Sequence, residues 1–199
     1  EHTRVRIEYD IYKKNPEVDV KVDVFMNDIN RMLKLSVPTT LKGEYIGQTA
    51  FGTEELYQNG RECVAQRFVA VREREDEGKG TDCLVLFNRG TYGSSFKDGE
   101  VLLSLLRSAT YCAHPIKDRP IIPTDRFTKK MDMGERNFVF RIMVAPEKAL
   151  ERLAGEFNMP PYACNVCPIN TGKCAPEFTL HISDPDVVLV TMKKSEQRD

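Results

Sequence analysis

Apolar and polar positions alternate along most of this chain. In the run 18–25, Val18, Val20, Val22 and Val24 take one side, and Asp19, Lys21 and Asp23 take the other. Strict period two over such a length marks a strand with one buried face. The run 3–12 behaves the same way, with Val5, Ile7, Tyr9 and Ile11 on one face. Asn15-Pro16-Glu17 lies between the two runs as a turn, so together they predict a hairpin. Further strands are predicted at 31–37 (ended by Pro38), 45–51, 62–72, 83–88, 100–107, 137–144, 177–182 and 186–192. About ten strands at short spacing predict a mainly β chain, a large antiparallel two-sheet sandwich, rather than a βαβ architecture.

One short helix is predicted over 145–157. Leu150, Leu153 and Phe157 share a face at helical spacing, and Pro146 suits the first turn. Gly43, Gly47, Gly52 and Gly60 read as loops crossing between sheets. The core is expected on the alternating faces of 18–24, 83–87, 101–106 and 138–143. No repeat, low-complexity tract or shift in composition divides the chain, so residues 1–199 read as one domain.

Composition narrows the partners. The chain has 199 residues, 41% of them hydrophobic and 30% charged. A chain of this size buries roughly 70% of its unfolded surface and needs no disulfide or metal to hold a core. Lys+Arg number 29 and Asp+Glu 30, a formal net charge of -1. Nucleic acid or a membrane surface would call for a concentrated basic patch, and neither is expected as a partner. The densest charge run, Arg72-Glu73-Arg74-Glu75-Asp76-Glu77, alternates in sign and reads as a solvated strand end and loop. No apolar run approaches the ~20 residues that span a bilayer. No signal peptide is visible, and the chain opens and closes in strand-like sequence. A piece of a longer protein is the expectation, with any targeting signal elsewhere.

Four ordered pieces carry a resemblance. The first is Met32-Leu33-Lys34-Leu35 followed by Pro38. The second is 45–52, then Gly60-Arg61-Glu62 leading into Ala65-Gln66-Arg67-Phe68-Val69-Ala70-Val71. The third is LFNRGTYG at 86–93, then Leu102-Leu103-Ser104-Leu105-Leu106-Arg107-Ser108, then Asp132-Met133-Gly134-Glu135 before Phe138. The fourth is VLVTMKKSE at 188–196. In this order they resemble the β-sandwich region downstream of the catalytic barrel in family 38 glycoside hydrolases, the α-mannosidases.

The resemblance implies a galactose-mutarotase-like supersandwich that packs on the catalytic barrel of the same polypeptide and shapes the far side of the sugar pocket. It implies a parent reaction of retaining hydrolysis of α-mannosides, by a carboxylate nucleophile and a zinc ion in that barrel. Neither has a counterpart here, so this chain is expected to be non-catalytic and to hold no cofactor of its own. One competing reading is a stand-alone carbohydrate-binding module, marked by an exposed aromatic platform. The chain has no Trp, which counts against it, but Tyr12, Tyr45, Tyr57, Tyr92 and Tyr111 remain for stacking. Another is a pure interaction domain that self-associates through an apolar patch.

Candidate site residues fall into three groups. Asn88, Arg89 and Tyr92 lie between glycines and combine an amide, a guanidinium and an aromatic ring, the side chains that fix sugar hydroxyls and stack on pyranose faces. The bland alternative is a hairpin loop without a ligand. Arg107 closes an apolar strand, and a buried Arg needs a partner, so a structural ion pair with Asp132 or Glu135 is expected. Asp132 and Glu135 are also the tempting carboxylate pair for glycoside chemistry, but Asp-x-Gly reads more simply as a turn.

Cys164, Cys167, Cys174 and His181 form a formal zinc-ligand set. Against it stand the missing second Cys-x2-Cys or His-x3-His pair and the untypical spacing. The alternative is a Pro-rich surface loop with thiols or one local disulfide. Cys63, Cys83 and Cys112 sit in or near apolar runs and read as buried small hydrophobes. Cysteines without a secreted framework point to a reducing cytoplasm. Tyr111-Cys112-Ala113-His114 lacks the geometry of a nucleophile pair, three histidines supply a serine triad poorly, and no phosphate-binding glycine loop occurs.

Overall fold

The computed structural model describes residues 2–50, 52–73, 82–110, 129–163, 180–184, 187, 189 and 191–196. Within them lie β1 (Arg4–Ile11), β2 (Val18–Met26), β3 (Met32–Pro38), β4 (Gly43–Thr49), β5 (Gly52–Glu55), β6 (Cys63–Val64), β7 (Phe68–Glu73), β8 (Asp82–Asn88), β9 (Gly93–Lys97), β10 (Glu100–Arg107) and β11 (Gly134–Pro146). A 3-10 turn (Glu147–Ala149) leads into α1 (Leu150–Asn158). A seven-stranded sheet runs β1-β2-β11-β8-β7-β4-β5, and a four-stranded sheet runs β3-β10-β9-β6. All strand pairs are antiparallel, and the two layers make the expected sandwich.

The period-two pattern explains which side chains meet. Val20, Val22 and Val24 of β2 face Val101 and Leu103 of β10 across the sandwich, with Tyr45, Leu86, Phe96 and Phe140 completing this cluster. The larger sheet is also covered on its other face. Ile46, Phe68, Ala70, Cys83, Val85 and Phe87 pack there against Leu150, Ala154 and Phe157 of α1. Double coverage accounts for the unbroken apolar runs of β7 and β8. Strands buried on both faces need no polar alternation.

Several expectations change. The predicted strand 62–72 is two strands in different sheets, β6 and β7, with Ala65-Gln66-Arg67 crossing between them. β5 and β9 had no visible pattern. Gly52-Thr53-Glu54-Glu55 is mostly polar and exposed, and in β9 only Phe96 is a large apolar residue, although Ser94 and Ser95 are buried with it. Gly43 and Gly47 are strand residues, not crossing loops. A Cβ on Gly43 would lie 1.5 Å from the Arg72 carbonyl oxygen, so close strand approach, not a turn, requires glycine there. The helix begins at Leu150, because Ala145 and Pro146 still belong to β11.

The described parts of the last two predicted strands carry no strand. Residues 180–182, 187, 189, 191 and 192 are irregular, and Leu180, Ile182, Val187, Leu189 and Met192 are exposed. Alternation makes a strand only where a neighbour supplies the ladder.

Candidate functional site

The segment that follows β8 is not a hairpin loop. It carries the chain from the larger sheet into β9 of the smaller one. Asn88 is buried and works within the protein: its Oδ1 accepts from the Thr91 N–H at 3.0 Å, and its Nδ2 donates to the Gln66 carbonyl at 2.8 Å. Gly90, at φ +89°, permits the reversal between them. Arg89 turns back onto α1. Its Nε and Nη2 donate to the Phe157 carbonyl at 3.1 and 2.8 Å, and its guanidinium lies 4.5 Å from the centre of the Phe157 ring. Carbonyls in the last helical turn lack intrahelical donors and carry partial negative charge, so a guanidinium satisfies both needs there. Tyr92 remains half exposed, at 53%. The three residues of the candidate sugar contact therefore separate: Asn88 is buried, Arg89 is exposed but engaged with the end of α1, and Tyr92 offers its ring to solvent.

The Phe157 ring has a second cation. Arg141 of β11 lies 5.1 Å from its centre and forks onto Asp19 of β2 at 2.6 and 2.9 Å. Tyr12 donates to the same carboxylate at 3.0 Å. The bonds from Arg141, chiefly, hold the Asp19 carboxyl below the usual carboxylate range against the opposing effect of burial. Asp19 is thus kept ionised, unsuited to give up a proton near neutrality. A second network ties β4 and the inter-sheet crossing to α1. Gln48 donates to both Glu151 oxygens at 2.8 and 2.7 Å, and Arg67 bonds Gln48 Oε1 and Glu151 Oε2. A third joins Arg72 to Glu44 and, at 2.9 Å, to Glu147. No window of sequence pairs these residues. In the sequence they are only scattered polar and charged residues on strands, the crossing segment and the helix.

Arg107 is exposed at the end of β10, not buried, so the desolvation argument for its pairing does not apply. Its link to Asp132 runs through the main chain: the Arg107 N–H donates to Asp132 Oδ2 at 3.1 Å. Asp132 at φ +52° and Gly134 at φ +90° form the turn that starts β11. Glu135 is exposed on β11, its carbonyl accepts from Arg136, and it lines an open groove with Arg4, Arg6 and Asp23.

These placements accompany one decisive comparison. The model of the glycosyl hydrolases family 38 C-terminal domain matches residues 1–120. The chain belongs to this family. Comparison with curated proteins gives no match. The matched part of this family 38 C-terminal domain holds β1 through β10 and the segment with Asn88, Arg89 and Tyr92. β11 and α1 lie beyond it, yet β11 sits between β2 and β8 and completes the same sheet. No catalytic domain of the family lies in this chain.

The remaining candidates concern metal and thiols. Cys164, Cys167, Cys174 and Cys112 lie outside the described residues, and His181 is exposed in irregular chain. Among the described residues no group of three His, Cys, Asp or Glu is placed to hold a metal ion. Cys63 and Cys83 are buried free thiols, as expected. Burial pushes the Cys83 thiol up to about 11, which leaves it unreactive near neutral pH.

Proposed function

We propose that this chain is the non-catalytic β-sandwich of an α-mannoside-cleaving glycosidase, that it packs on the catalytic barrel of the same polypeptide, and that Tyr92 faces the sugar pocket. The family match over residues 1–120 carries this reading. The site geometry supports it in two respects. Two carboxylates of this region are committed to structure: Asp132 to a main-chain N–H, and Asp19 to Arg141. With Asn88 buried and Arg89 engaged on the end of α1, Tyr92 is left as the ring of this segment that can stack on a sugar face.

The test compares aryl α-mannoside hydrolysis, with zinc present, by this chain and by a longer polypeptide that carries the barrel. Turnover by the longer protein alone is expected. Turnover by this chain would overturn the reading. In the longer protein, Tyr92→Ala should raise KM while folding stays intact; unchanged kinetics would remove Tyr92 from the pocket. Saturable binding of mannose or mannobiose by this chain alone would instead favour a stand-alone carbohydrate-binding module.

A further inference from the structure

The seven-stranded sheet ends on two very different strands. At one edge, β5 has four residues and closes on Glu54 and Glu55, the short charged form that discourages edge pairing. At the other, β1 has eight residues, all paired with β2 on one side. Among the described residues, no strand pairs its outer side.

The two faces of β1 differ. Val5, Ile7 and Tyr9 stand opposite Val24, Val22 and Val20, which are fully buried in the inter-sheet core. The β1 residues themselves are 45%, 41% and 58% exposed. They extend the core sideways, beyond the reach of the smaller sheet. On the other face come Arg4, Arg6, Glu8 and Asp10: two cations, then two anions. That order is self-complementary when the strand meets an antiparallel copy of itself. With a two-fold axis at Ile7, Arg6 faces the partner's Glu8, Arg4 faces the partner's Asp10, Val5 faces the partner's Tyr9, and Ile7 faces its own copy.

Other registers fail. A shift of the axis to either neighbouring charged residue sets Arg6 against Arg6 or Glu8 against Glu8. A slip that pairs odd with even positions throws the apolar stripes onto opposite faces. Parallel in-register pairing sets every charge beside its like. Opposite charges facing across a ladder favour a pairing, and like charges oppose it.

We propose that the outer edge of β1 pairs antiparallel with β1 of a second copy of this chain, about a two-fold axis at Ile7, so that two seven-stranded sheets become one continuous sheet. In the single chain, Arg6 reaches Glu8 of its own strand at 3.1 Å, and Lys21 holds Asp10 at 2.7 Å. These exposed contacts can be shared with, or exchanged for, the partner's charges. One strand pair buries less than the ~1,200 Å² at which stable interfaces begin, so the dimer dissociates on dilution.

The test is sedimentation velocity of the 199-residue chain over about a hundredfold range of concentration. Three proteins and one mixture are compared: the unaltered chain, the double variant Arg4→Glu/Arg6→Glu, the double variant Glu8→Arg/Asp10→Arg, and an equal mixture of the two variants. Arg4, Arg6 and Glu8 are exposed and Asp10 is half-buried, and circular dichroism checks that each variant keeps its fold. The unaltered chain should move from monomer to dimer as concentration rises. Each variant alone should associate at least about tenfold more weakly, because its edge then carries one sign of charge. The mixture should recover a heterodimer. A chain that stays monomeric throughout would overturn the proposal and leave the edge to another segment of polypeptide. Variants that dimerise as the unaltered chain does would place the contact elsewhere, and a mixture that fails to recover dimer would reject the register. None of these readouts depends on glycosidase activity, so this proposal and the proposed function can fail separately.

Discussion

The two faces of the larger sheet are covered in different ways. One face meets a whole second sheet, and the contact is almost entirely apolar, with the Tyr45 hydroxyl bonded to Ser94 at 2.7 Å as its buried polar link. The other meets a single helix of nine residues, α1, anchored by Leu150, Ala154 and Phe157. Around that small apolar patch stands a rim of charge: Arg67 with Glu151, Arg72 with Glu147, Arg89 on the Phe157 carbonyl, and Arg141 with Asp19. A sheet brings enough area to hold its partner by burial alone. A helix this short is marginal in isolation, so polar contacts at its ends and sides fix where it sits. The sheet-covered face is held mainly by area, the helix-covered face by area plus orientation.

Removing the helix's main anchor should break this contrast most severely. Phe157→Ala deletes a buried ring that packs near Phe87, with centroids 6.3 Å apart, and carries two guanidinium groups. A loss of about 3–5 kcal/mol is expected, read by urea unfolding. Labelling should separate the faces. Alkylation of Cys83, under the helix, should accelerate in this variant, whereas Cys63, outside that cluster, should not follow. Equal acceleration at both thiols would mean that the faces open together.

On the other face, Tyr45→Phe removes the bond to Ser94 and leaves a buried hydroxyl without its partner. About 1–2 kcal/mol is expected, again by urea unfolding. Cys83 labelling under native conditions should stay slow in that variant. A smaller effect, about 1 kcal/mol, is expected for Arg89→Ala, which loses the helix-end contacts at an exposed position. This variant should loosen α1 selectively, seen as faster Cys83 labelling with little change in the global transition.

The smallest effect is one of pH. The folded pKa of Asp19 lies below its unfolded value, chiefly through its bonds from Arg141. The stability it contributes is present above the unfolded carboxyl range, near pH 4, and is lost as pH falls through the lower folded pKa. Asp19→Asn should therefore destabilise the protein at neutral pH and flatten this part of the acid limb. An unchanged acid limb would show that the Asp19–Arg141 pair contributes nothing measurable.

Legibility in the sequence followed the number of faces each strand buries. The hairpin of β1 and β2 was plain because β2 has one buried and one wet face. β8 was recognisable as a strand, but its continuous apolar run did not say that Cys83, Val85 and Phe87 would meet a helix while Leu86 met the other sheet. β5 and β9 were invisible for want of apolar residues. Cys63 and Cys83 were read correctly as buried thiols. Of the candidate loop, its position and glycine-permitted turn were readable, but the turn of Arg89 onto α1 was not, because its acceptor, the Phe157 carbonyl, is 68 residues away. The burial expected of Arg107 was not readable either: a residue that ends an apolar strand can lie past the core, and Arg107 is exposed.

Sequence alone determined the mainly β character, the sandwich class, the short helix and the resemblance that the family match supports. These depend on local periodicity, turn residues and word order, which backbone geometry imposes on any short window. Tertiary structure decided which strands share a sheet, which face receives the helix and which charges meet. Gln48 and Glu151, 103 residues apart, bond because β4 and α1 are packed on the same face. That encounter depends on the register of every strand between them, and no local pattern encodes it.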